Sequence, residues 1–371
     1  MIESYRPDKP VSLYIHVPFC RSRCDYCAFY STLYREENRD RYYINIRNEL
    51  ESLVEDIKRP FYTVYFGGGN PILLGYDRIL ELLSIAGRYG RPQETTVEIN
   101  PEDVSPELER LYPNVTRIST GIQSMSDRTL EFLNRRARVK DNIKAMEYLS
   151  SSPFVWNADL ITAVGTTTVA DTLYDIDKVA QYHPEHISFY CLTFEEGTPL
   201  ISKTAPLGDE KETEFLLSGW DKLRENGYSH YEISAFALPG NECLHNRAYW
   251  TLGQYIGLGP AAESFLGYTT GTTMRNRETI EDFIRSPEFD CENLTKEETE
   301  ESYLLTALRT KDGIDKAYYS SRFGLPFDDL YSERIATLNS RWYNNTEDTF
   351  SLTENGMLML NTIILTLSMV L

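Results

Sequence analysis

The sequence predicts an α/β fold: a partial barrel of six β/α units, then a small mixed extension and an α-rich C-terminal domain. Three observations predict it. The first 200 residues alternate β-rich runs with helical patterns, the alternation fails near residue 230, and a helical pattern returns from Thr295. Six β-α pairs in succession imply a parallel sheet covered by helices, and six units suit an open or partial TIM-like barrel. The chain divides accordingly into 1–230, 231–294 and 295–371.

The β-rich runs fall at 13–17, 62–66, 95–99, 115–119, 155–161 and 187–191. Between them, helical spacing of apolar residues marks 39–58, 76–89, 129–133, 142–149 and 169–181. Ser105-Pro106-Glu107 reads as a helix start, with a capping hydroxyl, Pro at the first helical position and an acid on the positive end of the dipole. Residues 231–290, rich in Gly, Asn, Tyr and Thr, read as strands and loops appended to the barrel. Thr295 and Glu298 form a capping box that opens the helical tail, where strand character shows only at 349–353.

Composition narrows the function. With 41% apolar and 25% charged residues the chain is an ordinary globular one, and 371 residues bury a sizeable core unaided. A net charge of −19 argues against a nucleic-acid partner, which needs a basic stripe. Six Cys are too few for a disulfide scaffold, and three of them crowd together at Cys20, Cys24 and Cys27. That crowding points to metal chemistry in a reducing compartment, hence the cytoplasm. The first 20 residues hold no long apolar run, so no secretion signal is expected. The longest apolar stretch, 357–371, is 15 residues and falls short of the ~20 that span a bilayer. It reads as a buried terminal helix, so no transmembrane segment is expected. Peripheral contact with the inner face of a membrane is the alternative.

Each predicted strand ends in something chemically notable. The first leads into Cys20-Arg-Ser-Arg-Cys24-Asp-Tyr-Cys27 and the second into Gly67-Gly68-Gly69-Asn70-Pro71. The third ends at Glu98-Ile-Asn100, the fourth at Gly121-Ile-Gln123, the fifth carries Asp159 and the sixth ends at Tyr190. Barrels collect their chemistry at these carboxyl ends, so the alignment points to one active site. Three thiolates on a short loop can bind three irons of a 4Fe-4S cubane and leave the fourth open; a zinc site completed by His16 fits the spacing too. Cys191, Cys243 and Cys291, far off in sequence, read as small buried hydrophobes. The triple glycine lets backbone approach a ligand, or simply makes a tight turn. Glu98 and Asp159 could bind an ammonium or a ribose diol.

Taken together, YIHVPFCRSRCDYC, VYFGGGNP, VEINPE, ISTGIQS and NADLI resemble the radical S-adenosylmethionine superfamily. The resemblance is to the branch containing oxygen-independent coproporphyrinogen III dehydrogenase and the heme chaperone HemW. It runs nearly end to end, through YEISAFALPGNECLHNRAYW, YIGLGPAAESF and LRTKDGIDKAYYSSRFG. It implies a 4Fe-4S cluster on Cys20, Cys24 and Cys27, with S-adenosylmethionine on the open iron. It also implies that Gly68, Gly69 and Asn70 lie at the methionine moiety. Glu98, Gln123, Arg135 and Asp159 would hold the amino-acid and ribose ends, with Tyr14 close to the cluster and Tyr26 beside the adenine. A flavodoxin or ferredoxin would supply the electron.

Two features favour the HemW side of that branch: Phe29 stands where the coproporphyrinogen enzymes carry a fourth Cys, and only 19 residues precede Cys20. His245-Asn-Arg-Ala-Tyr249-Trp250 matches that side's His-Asn-x-x-Tyr-Trp signature for heme. The resemblance thus implies heme at His245, Tyr249 and Trp250, with Cys243 a second candidate ligand, and delivery to a respiratory protein. The runner-up is oxidative decarboxylation of coproporphyrinogen propionates, and the third reading a scaffold that keeps the cluster without cleaving S-adenosylmethionine. The sequence also departs from the pattern. Asn70 replaces a Thr, Asp159-Leu-Ile-Thr-Ala-Val-Gly-Thr changes the fifth loop, Asn134-Arg135-Arg136-Ala137 lacks the usual His, and Glu263 replaces another.

Overall fold

A computed structural model describes residues 4–285 and 289–368. Six strands run parallel as neighbours in chain order: β1 (Val11–Val17), β2 (Thr63–Gly68), β3 (Glu94–Ile99), β4 (Arg117–Gln123), β5 (Val155–Thr162) and β6 (His186–Cys191). Between them lie α1 (Glu36–Ile57), α2 (Tyr76–Ala86), α3 (Asp127–Phe132), α4 (Val139–Leu149) and α5 (Val169–Ala180), and α6 (Asp209–Glu225) follows β6. In α1 the buried residues Tyr42, Ile46, Leu50, Val54 and Ile57 recur every three or four positions, which lays one apolar stripe on the sheet. The predicted helix at Pro106 is a 3-10 turn over Pro106–Leu111, and the Ser105 hydroxyl makes no cap bond.

The extension, residues 229–294, continues the same sheet at both edges. β7 (Ser229–Glu232) and β8 (Ala235–Ala237) add antiparallel beyond β6. Helix α7 (Leu244–Trp250) then leads to β9 (Gln254–Leu258), which pairs in parallel with β1. β10 (Glu263–Gly267), β11 (Gly271–Asn276) and β12 (Phe289–Leu294) continue antiparallel from there. Among the described residues the sheet has twelve strands, in the order β12-β11-β10-β9-β1-β2-β3-β4-β5-β6-β8-β7.

Strand alternation sorts the six central strands into two faces. Leu13, Ile15, Val64, Phe66, Ile118 and Ile187 are fully buried in the main apolar core. The alternate positions, among them Glu98, Arg117, Ser119, Asn157 and Ser188, face a cavity inside the curved sheet. The inward positions of these strands are therefore largely polar, and the apolar core lies outside the strands.

In the tail, Thr295 caps the helix Lys296–Ala307 with the expected box: Glu298 N–H donates to the Thr295 hydroxyl at 3.2 Å and Thr295 N–H to the Glu298 carboxylate at 2.8 Å. The tail holds more strand than its sequence suggests, since Ile314–Asp315 and Tyr343–Asn345 both pair with Thr349–Leu352. The apolar end forms a helix, Leu360–Leu367, that buries Leu360, Ile363, Ile364 and Leu367; the last three positions of that stretch lie outside the described residues. No helix among the described residues is long and apolar enough to cross a membrane.

Candidate cofactor site at the carboxyl ends of the strands

The cysteine loop is pinned at both ends. Phe19–Cys20 pairs in parallel with Thr32–Leu33, and Tyr34 N–H donates to the Cys20 carbonyl at 2.9 Å. Cys20, Cys24 and Cys27 are free and half-buried. Burial, and then the field of its neighbours Cys27 and Cys24, pushes the Cys20 thiol up to about 11. Such crowded thiols shed their protons when a metal centre takes them as thiolates. No three His, Cys, Asp or Glu side chains among the described residues converge on one ion. His16, the candidate fourth zinc ligand, is engaged at both nitrogens, by the Tyr30 carbonyl at 2.9 Å and the Tyr14 hydroxyl at 3.0 Å. The donor set fits a cluster that takes one sulfur per iron better than a single zinc ion.

The glycines answer to the protein itself. Gly68 has φ +102, and a Cβ there would fall 2.5 Å from the His16 ring. A Cβ on Gly69 would fall 2.5 Å from the Phe19 carbonyl oxygen. The triple glycine thus lets the end of β2 lie flat against the start of the cysteine loop, and Gly68 and Gly69 still line the cavity.

That cavity, about 500 Å³, brings together Cys27, Tyr26, Glu98, Gln123, Arg135 and Asp159. Glu98 accepts from the Tyr65 hydroxyl at 2.8 Å and from Gly68 N–H at 3.1 Å, and burial pushes its carboxyl up to about 7. Asp159 accepts from Asn157 at 2.7 Å, and burial raises it too. Gln123 adopts φ +64 at the irregular end of β4. Its Oε1 and the Nε of Arg135 are buried without hydrogen-bond partners. Unsatisfied donors and acceptors beside two carboxylates suit a zwitterionic ligand such as S-adenosylmethionine.

Tyr14 and Asn70 lie outside the cavity lining. Tyr14 packs against Tyr65 and His16 beneath Gly67. Asn70 is fully buried, and its amide donates to Asp103 at 2.6 Å rather than facing the cavity; Asp103 also pairs with Arg21.

The His245 block needs the larger correction. His245 is 1% exposed, with one ring nitrogen 2.7 Å from the Thr63 hydroxyl and the other 2.8 Å from the Tyr249 hydroxyl. Burial pushes its imidazole down to about 3. Thr63 opens β2, and Glu94, which opens β3, accepts from the N–H groups of Leu244 and His245 at 3.1 and 3.0 Å. Helix α7 therefore sits at the amino ends of the strands, opposite the cysteine loop. Trp250 packs under the Arg309 guanidinium, 4.6 Å from its ring centre. Cys243 is buried but borders the cavity from below. His245, Tyr249 and Trp250 thus do not present an open face to heme in this structure. Of the other two cysteines, Cys191 lines the cavity and Cys291 is exposed, so neither is a buried hydrophobe.

Sequence reasoning missed the deeper lining, notably Arg117, Ser119, Asn157, His186 and Ser188. The signal was there: polar residues at every second position of β4, β5 and β6.

The comparisons agree with this geometry. The Radical SAM superfamily model matches residues 14–179, and the HemN C-terminal domain model matches 294–359. The heme chaperone HemW of Mycobacterium tuberculosis (strain ATCC 25618 / H37Rv) is 30% identical over 330 residues, 84% of each chain. The chain belongs to the HemW family. The HemW of Escherichia coli (strain K12) is 28% identical over 96% of this chain and 97% of its own. The solved coproporphyrinogen III oxidase HemN of Escherichia coli, described as a radical SAM enzyme, shares the fold at a TM-score of 0.84. That match covers 99% of this chain and 92% of the other at 18% identity.

Proposed function

We propose that this HemW-family chain works as a heme chaperone in the cytoplasm. It holds a 4Fe-4S cluster on Cys20, Cys24 and Cys27, binds S-adenosylmethionine in the lumen, takes an electron from a flavodoxin- or ferredoxin-type donor, and passes heme to a respiratory protein. One observation carries the choice against decarboxylation. Phe29, where the coproporphyrinogen enzymes resembled here carry a fourth Cys, is 70% exposed at the cavity and offers an apolar ring in place of a thiol.

When bound, the cluster supplies one-electron reduction toward a sulfonium. The chain's own residues do the rest. Arg135, held by the Gly121 carbonyl at 2.9 Å, keeps a fixed positive charge beside the Cys24 sulfur. Glu98 and Asp159 offer acceptors to an ammonium or a diol, and Gln123 offers its unpaired Oε1. Tyr26, packed on Leu133, Val164, Leu192 and Leu200, forms an apolar wall for a base.

The test is an anaerobic incubation of cluster-reconstituted protein with S-adenosylmethionine, reductant and coproporphyrinogen III, beside a heme titration. Unchanged porphyrinogen together with a Soret-region response to heme supports the chaperone. Loss of two carboxyl groups from the porphyrinogen overturns it.

A further inference from the structure

The floor of the lumen holds a cation with nothing to bind. Arg117 is the first residue of β4, 3% exposed, and its side chain lines the cavity. Its Nε and Nη1 are buried without any hydrogen-bond partner. A buried guanidinium is costly unless paired, because low dielectric penalises the bare charge.

The groups around it are spent on one another: Asp159, whose field reaches Arg117, accepts from Asn157 at 2.7 Å and makes no hydrogen bond to the guanidinium. Asn157 donates to the Ser119 hydroxyl at 2.7 Å and accepts from His186 at 2.6 Å and Ser188 at 3.1 Å. The second His186 nitrogen meets the Tyr231 hydroxyl at 2.8 Å. Glu94, whose field reaches Arg117, gives its oxygens to the first turn of α7. Of these groups Arg117 alone keeps unpaired donors.

Arg117, Ser119, Gly121 and Gln123 share one face of β4, and all four line the same cavity. At roughly 3.3 Å per residue, Arg117 lies about 13 Å deeper than Gly121, which Arg135 holds beside the cysteine loop. A planar fork of unused N–H groups at the bottom of a polar shaft fits a carboxylate in two-pronged contact.

We infer that Arg117 is the anchor for a carboxylate of the lumen's ligand, and that this carboxylate is a propionate of the tetrapyrrole. The inference rests on the reading that the chain carries heme. The amino-acid end of S-adenosylmethionine bears the same chemistry, so the test separates the two.

Heme and its dimethyl ester, whose propionates cannot ionise, are titrated into cluster-loaded wild-type protein and Arg117→Gln, following the Soret band. Calorimetry measures S-adenosylmethionine on both proteins. Losing one charge-assisted two-pronged contact corresponds to about tenfold to a hundredfold in affinity. The expected result is wild-type protein preferring heme over the ester by that factor, Arg117→Gln binding both alike, and unchanged S-adenosylmethionine affinity. Equal binding of heme and ester by wild-type protein overturns the inference without any variant. So does a preference that survives in Arg117→Gln, or a loss confined to S-adenosylmethionine, which would make the carboxylate the cofactor's. If neither tetrapyrrole binds wild-type protein, the chaperone reading fails and the inference falls with it.

Discussion

Arg135 touches both the strand and the cysteine loop: one terminal nitrogen donates to the Gly121 carbonyl at 2.9 Å, and the other lies 3.5 Å from the Cys24 sulfur. A lysine keeps the charge but cannot span both contacts. Arg135→Lys is expected to weaken S-adenosylmethionine about tenfold or more by calorimetry while iron content per chain stays at the wild-type level. Loss of iron with unchanged affinity would place its role at the cluster instead.

Gly68 and Gly75 separate two costs of adding a methyl group. Both have φ near +100, but a Cβ on Gly68 meets the His16 ring at 2.5 Å, whereas nothing lies within 4 Å of one on Gly75. Backbone strain alone is expected to cost Gly75→Ala about 1–2 kcal/mol, and Gly68→Ala should lose at least a further 1–2 kcal/mol. Urea unfolding of the two variants reads the difference directly.

His245 is held by Thr63 and Tyr249 and packs on Tyr65 with ring centres 4.9 Å apart. His245→Ala removes one buried and one part-buried hydrogen bond and leaves a cavity, so stability should fall by about 2–4 kcal/mol. A structural role predicts that the folded variant keeps the wild-type Soret spectrum with heme. A shifted band in a variant of normal stability would identify the imidazole as an iron ligand.

Burial alone pushes Glu49 from 4.5 up to about 7, and its Oε1 is buried without a partner. The folded chain then keeps a proton that the unfolded chain releases. The resulting stability is fully present below about pH 4.5 and lost as pH rises through 7. Glu49→Gln should match wild-type protein near pH 4 and exceed it by about 1–2 kcal/mol at pH 8, a figure discounted for partial exposure. Denaturant titrations at both pH values check the sign.

The six central strands were legible because each is a short apolar run bounded by turn residues, and the capping box at Thr295 announced its helix locally. The outer strands were not placeable: Val11 pairs with Gln254, a contact between distant parts of the chain that no local pattern records. At the site, the cysteines, Glu98, Gln123 and Asp159 were found because they cluster at strand ends, whereas Arg135, beyond α3, came only through the family resemblance. His245 misled because a histidine beside two aromatic residues looks the same in sequence whether it faces a ligand or fills a core. Arg117 was overlooked because it opens a strand, where barrel chemistry is not expected.

Because the apolar core lies outside the strands, neighbouring residues of one strand serve separate purposes. Ile118 and Ile187 pack in the apolar core; Ser119 and Ser188, one position along, face the lumen and bond Asn157 there. Chemistry in the lumen can thus be rewritten without touching the apolar packing, provided that the polar side chains there stay mutually bonded. A protein built this way can exchange one cargo for another by changing a few inward side chains, its outer packing untouched.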